Sequence, residues 1–237
     1  WTSSDPAVAS VDAQGKVTAK ASGTATITAT IYDGASDSQE VTVAQDPVTP
    51  TTTTWKRLAG ENALDTMGKI VDEAGFNTGG TVLVATIGGY WDALTAAGAA
   101  GVGSGCVLLT DGRSLSEQTS AQLTTLAPAH VIVCGGTAAI SDTVYGQVDS
   151  VTGSATMTRC AGNTATGTAC QIYQKTPGVT GTAWSTTAVV ATNSGYWDAL
   201  AAAPYAYAKH CPIFLSEGAE KLSSETLTAM KNGQCLA

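Results

Sequence analysis

The chain has 237 residues, of which 43% are hydrophobic and only 13% charged, and its formal net charge is -8 at pH 7. An acidic chain with scarce lysine lacks the basic footprint that nucleic acid demands, so no nucleic-acid partner is expected. No run of 18 apolar residues occurs, so no membrane span is expected either.

The sequence opens with neither a signal peptide nor an initiating methionine, and is expected to begin inside a longer protein. Four strands are predicted in residues 1–45: Ala7–Val11, Gly15–Thr18, Gly23–Ile31 and Glu40–Val43. In the third, Ala25, Ile27, Ala29 and Ile31 alternate with Thr24, Thr26, Thr28 and Thr30. That period of two belongs to a half-buried strand of an antiparallel sheet.

The motifs W-x-S, V-A-x-V-D, G-x-V-T-A and G-T-A-x-I-T, read between Trp1 and Gly34, resemble bacterial Ig-like domains of group 2. The resemblance implies a spacer or adhesive module on a surface protein. An Ig-like sandwich has about seven strands, so the all-β domain at 1–45 is expected to be partial, its opening strands lying upstream or donated by a partner chain. Residues 46–54, rich in Pro and Thr, read as a semi-rigid linker.

From Trp55 the chain is duplicated. Gly89-Tyr-Trp-Asp-Ala-Leu94 returns as Gly195-Tyr-Trp-Asp-Ala-Leu200, and Arg57-Leu-Ala-Gly60 matches Arg159-Cys-Ala-Gly162. Thr66 and Thr168 each lie nine residues past their arginine. The first copy predicts a strand to Gly60, helix 63–75, strand 82–86, helix 90–100, strand 106–110, helix 116–127, strand 130–134 and helix 137–149. Short apolar strands such as His130–Cys134, each joined to the next through a helix, imply a parallel sheet covered on both faces. The modules are placed at 55–152 and 153–237, the second incomplete at its C-terminal end.

R-L-A-G, a Thr-bearing helix, V-L-V-A-T, G-Y-W-D-A-L, C-V-L-L-T, S-L-S and H-V-I-V-C-G-G-T-A-A-I-S together resemble the type 2 cell-wall-binding repeat of clostridial and actinobacterial surface proteins. The resemblance implies Rossmann-like or toprim-like α/β modules in tandem, commonly in threes. It also implies non-covalent anchoring to an anionic secondary cell-wall polysaccharide, at an extracellular, cell-surface location. The alternative is a structural or adhesive surface-layer component that self-associates through its modules or its Ig-like strands.

Anionic and sugar groups suit glycine-rich loops at helix N-termini and at the carboxyl ends of parallel strands. On that basis the polymer-binding candidates in the first copy are Arg57, Thr86, Gly88, Gly89, Tyr90, Asp92, Thr110, Gly135 and Gly136. Those in the second are Arg159, Thr192, Asn193, Ser194, Tyr196, Asp198 and Ser216. Each has a plain structural alternative: glycines and hydroxyls fit βα turns, Asp92 and Asp198 fit helix capping, and the arginines fit salt bridges. From residue 49 onward 9 Lys and Arg stand against 13 Asp and Glu, so local donors rather than bulk charge must hold an anion.

No catalytic residue, metal or cofactor is expected. His130 and His210 are not equivalent between the copies, and no nucleophile elbow, G-x-G-x-x-G or C-x-x-C occurs. Six cysteines in a secreted context suggest disulfides. Spacing and strand level predict Cys160–Cys170 and Cys211–Cys235, with Cys106 and Cys134 open between a third bridge and two buried thiols.

Overall fold

The computed structural model describes residues 1–44, 54–218 and 221–232. The linker expected at 46–54 lies outside the described residues apart from Thr54. The chain divides into two compact units, Trp1–Lys56 and Arg57–Ala237.

The first unit holds β1 (Thr2–Ser3), β2 (Ala9–Val11), β3 (Val17–Ala19), β4 (Gly23–Thr30) and β5 (Ser36–Val43). These form an antiparallel sheet of order β1-β4-β5 and a β2-β3 pair. The alternation predicted for β4 holds at Ala25 and Ile27, which are buried with Ala9, whereas Ile31 lies past the strand end and is 63% exposed. β5 starts at Ser36, earlier than expected, because its polar residues pair residue for residue with β4, from Gly23 with Val43 to Thr30 with Ser36. Gly34, at φ 88°, closes the hairpin in a conformation that other residues rarely adopt.

The second unit begins with α1 (Ala63–Ala74), β6 (Thr81–Thr86), α2 (Trp91–Thr95), α3 (Ala97–Val102), β7 (Cys106–Thr110) and α4 (Glu117–Leu126). Then come β8 (His130–Cys134), α5 (Asp142–Thr152), β9 (Thr156–Cys160), α6 (Ala165–Thr180), β10 (Val189–Thr192), α7 (Trp197–Lys209), β11 (Ile213–Ser216) and α8 (Ser224–Asn232). A four-stranded parallel sheet of order β7-β6-β8-β9 forms the first module. Its strands bury both faces by strict alternation. Val82, Val84, Cys106, Leu108, Val131 and Val133 meet α1, α4 and α5, while Leu83, Ala85, Ile132, Cys134 and Cys160 meet α3 and α6. Among the described residues the second module's sheet is the parallel pair β10-β11. Its register, Thr192 with Ser216, repeats that of Thr86 with Thr110.

Four expectations are corrected. Arg57–Gly60 is not a strand, whereas its sequence counterpart lies at β9 and belongs to the first module's sheet, paired with β8. Both segments still turn the same way, because the Gly60 and Gly162 N–H groups donate to Thr66 and Thr168 Oγ1 at 2.9 and 3.2 Å. The helix expected over 90–100 is split at Ala96 into α2 and α3. The one expected from 137 starts at Asp142, where Ser141 Oγ caps by accepting from Val144 N–H.

The fourth correction concerns disulfides. Cys106, Cys134, Cys160, Cys170 and Cys211 are all buried free thiols. Cys160 faces the cluster around Leu83 and Ile172, while Cys170 turns to Tyr173 and Phe214 of the second module, so α6 carries the two apart. Cys106 and Cys134 lie on opposite faces of the first sheet. Cys235 lies outside the described residues.

The modules meet where α3 packs on α7. A Cβ at Gly98 or Gly101 would run into the carbonyl oxygens of Cys211 and Tyr207 respectively, so these glycines set how closely the helices approach. Tyr207 also donates its hydroxyl across this seam to the Gly105 carbonyl at 3.1 Å.

Candidate functional site

Parallel strands present all their carboxyl ends at one edge, and here those ends surround a cavity of about 540 Å³. Thr86 at the end of β6, Asp111–Arg113 after β7, Gly136 and Ala139 after β8, and Gly162–Thr164 after β9 line it, with Trp91 and Asp92 of α2.

The loop after β6 is fixed from within. Thr86 Oγ1 accepts from Gly88 N–H at 3.0 Å, and Ile87 N–H donates to the Thr110 carbonyl at 2.8 Å. The second module repeats both contacts: Ser194 N–H to Thr192 Oγ1 at 3.2 Å, and Asn193 N–H to the Ser216 carbonyl at 2.9 Å. After β7, Asp111 Oδ1 accepts from the N–H groups of Arg113 and Ser114 in an Asx turn, and Arg113 itself is exposed. After β9, Thr164 caps α6 by accepting from Gly167 N–H.

Asp92 differs from a capping carboxylate. No group among the described residues donates a hydrogen bond to its side chain, and burial raises its pKa above the ordinary 3.8. Its Oδ2 lies over the end of β8, 2.5 Å from where a Cβ at residue 135 would stand, so Gly135 makes room for it at φ 109°.

The structure brings five of the sequence-derived candidates, Thr86, Gly88, Gly89, Asp92 and Gly136, to the cavity lining. Gly135 backs Asp92. Thr110 is buried and its hydroxyl accepts from Ser116 N–H at 2.9 Å. Arg159 is engaged within the fold. Its guanidinium donates to the Gly135 and Ile140 carbonyls at 3.1 and 2.8 Å, pairs with Asp142 at 3.2 Å and lies 4.8 Å from the Tyr145 ring centre. Arg57 is exposed and away from the cavity lining.

The second-copy candidates Thr192, Asn193, Ser194 and Ser216 form the corresponding loop, with Tyr196 and Asp198 exposed beside it. Sequence reasoning missed Arg113 and Asn163 as lining residues. Asn163 follows the Arg-x-x-Gly motif, and only the placement of β9 in the first sheet brings it to this edge.

Tandem parallel α/β modules with a cavity at the strand ends define the architecture. The chain belongs to the family described as cell wall binding domain 2 (CWB2), which matches residues 57–145 and 159–234. Residues 1–33 match the family described as intimin, immunoglobulin-like domain.

A curated relative, N-acetylmuramoyl-L-alanine amidase LytC of Bacillus subtilis (strain 168), is 29% identical over 177 residues. The match takes in 75% of this chain and 34% of that protein, so the chain spans about a third of the relative's length. In structure the chain is similar to Cwp6 from Clostridium difficile, with a TM-score of 0.64 and 20% identity over 82% of this chain and 32% of that one. It is also similar to Cwp8 from the same organism, at 0.60 and 18%, over 73% and 29%. These two likenesses concern the fold alone. No described helix is long and apolar enough to cross a membrane.

Proposed function

We propose that the α/β modules hold a bacterial surface protein non-covalently on an anionic secondary polymer of the cell wall, with the antiparallel β unit as an Ig-like spacer. Membership of the cell-wall-binding family over most of the second unit carries this reading. The cavity at the carboxyl ends of the first sheet is its candidate contact point. Repetition would multiply weak contacts, since two linked modules that each bind at millimolar strength gain about a hundredfold or more in avidity.

The test is sedimentation of the full chain with purified wall, intact or stripped of its secondary polymer by mild acid. Retention on intact wall and loss on stripped wall is the expected result. Equal retention on both would reject the polymer as ligand.

A second reading, assembly as an adhesive surface-layer component, has one observation in its favour. Among the described residues β5 is an edge strand, and most of its residues are exposed. It predicts concentration-dependent self-association in sedimentation velocity without any wall present.

A further inference from the structure

We propose that the cavity at the carboxyl ends of β6, β7, β8 and β9 recognises an uncharged, hydroxyl-rich sugar unit through its carboxylates, and not the polymer's charged group. The inference rests on the wall-anchoring reading and specifies which part of such a polymer the first module reads.

The lining carries two carboxylates, Asp92 and Asp111, against one cation, Arg113. A phosphate or carboxylate entering it would meet like charges on two sides, and the arginine that could have offset them, Arg159, spends its donors on Gly135, Ile140 and Asp142. Hydroxyl groups reverse that balance. An ionised carboxylate is a pure acceptor with two oxygens, which suits two adjacent O–H donors of one sugar ring.

Asp92 is the clearest case, being half-buried at the cavity wall with no donor among the described residues. With no protein donor, both of its oxygens stay available to accept hydrogen bonds from whatever occupies the cavity. Asp111 keeps Oδ1 for its own turn, and no described group donates to its Oδ2. The Asn163 side chain has no partner among the described residues and offers both a donor and an acceptor, the second half of what a hydroxyl needs. Trp91 adds an indole to the same lining, as apolar surface for the C–H groups of a pyranose. About 540 Å³ is ample for one such ring.

The repeated motif supplies an internal contrast. Asp198, the counterpart of Asp92, is exposed. The same six letters thus carry a half-buried carboxylate in the first module and an exposed one in the second.

The experiment uses the full chain labelled with ¹⁵N and titrated separately with methyl α-mannopyranoside, methyl α-glucopyranoside, glycerol 3-phosphate and inorganic phosphate. Either neutral glycoside should shift the amide signals of Gly88, Gly136 and Asn163 in the millimolar range, with the two phosphates leaving them in place. Asp92→Asn should weaken glycoside binding by roughly tenfold, while Asp149→Asn, an exposed charge change on α5, should not. Glycosides that leave these signals unmoved, or phosphates that move them more strongly, overturn the proposal, as does an Asp92→Asn chain that binds as well as the parent. Wall sedimentation separates the two levels. A parent chain that fails to bind intact wall sinks the anchoring reading itself, whereas one that binds while the cavity ignores glycosides sinks this inference alone.

Discussion

Tyr90 and Tyr196, the same letter in the two copies of GYWDAL, meet edge to face with ring centres 5.2 Å apart and an interplanar angle of 65°. Each also packs on the tryptophan that follows it, Trp91 at 4.5 Å and Trp197 at 4.9 Å. The two copies of the motif thus join in one row of four rings across the seam between modules. Edge-to-face pairs contribute about 0.5–1.5 kcal/mol beyond their burial. A double-mutant cycle with Tyr90→Leu and Tyr196→Leu should therefore show a coupling of about 1 kcal/mol in urea unfolding, and strict additivity would mean that the rings merely adjoin.

Glycines in the same unit should behave in opposite ways. Gly101→Ala drives a methyl group into the Tyr207 carbonyl and should destabilise the seam by about 1–3 kcal/mol. Gly146→Ala, in mid-α5 with nothing within 4 Å of the added carbon, should stabilise by about 0.5–1 kcal/mol. Chemical denaturation of the two variants beside the parent checks both signs.

Arg159 should matter more than the ion pair it makes. Asp142 has an 84% exposed side chain, so Asp142→Ala should change stability by less than about 0.5 kcal/mol. Arg159→Ala leaves the Gly135 and Ile140 carbonyls without their shared donor and removes the cation over Tyr145, a loss of about 2–3 kcal/mol. Comparable effects from the two substitutions would show that the ion pair, and not the carbonyl contacts, is what Arg159 supplies.

The thiols should be inert in the folded chain. Burial pushes Cys106 up to about 12 and Cys160 up to about 11, from an ordinary 9.0. Maleimide at pH 8 should leave both unlabelled until denaturant is added, and a non-reduced digest should recover the Cys160 and Cys170 peptides unlinked. Above pH 9 the unfolded chain loses thiol protons that the fold retains, so stability should fall as pH rises from there.

Asp92 places a similar slope in the acid range. Its folded pKa is raised by burial, so the native state holds its proton to higher pH than the unfolded chain does. This contribution to stability is present below the ordinary value of 3.8 and is lost as pH rises through the folded one. Asp92→Asn should remove that slope, matching the parent at low pH and exceeding it at pH 7 in thermal melts. A lower melting temperature at pH 7 would mean that the carboxylate has a stabilising partner.

Much of the fold is legible in the sequence because it is carried by local pattern. Alternation in Gly23–Thr30, the apolar runs of β6, β7 and β8, and the doubled GYWDAL each report on residues close in the chain. Strand order is not local. Nothing in Arg159-Cys-Ala-Gly162 says that β9 pairs with β8 of the preceding copy, and with that pairing unknown Asn163 could not be assigned to the cavity. The Cys160–Cys170 pairing fails for a related reason: spacing of ten residues fixes how far apart the two are along the chain, but the turn into α6 decides which cluster each faces. For Asp92, position in the first helical turn suggests capping, and only the room left by Gly135 shows the carboxylate reaching over the next strand.

The placement of β9 puts the unit that was duplicated and the unit that folds out of phase. Counted by letters, a copy begins at the Arg-x-x-Gly motif; counted by hydrogen bonds, the first sheet ends there. Severing the chain between the copies therefore strips β8 of β9, one of its two neighbours, and bares a parallel edge, so the copies are not interchangeable beads. The two modules of this chain interlock like roof tiles, the strand that opens the second copy completing the sheet of the first.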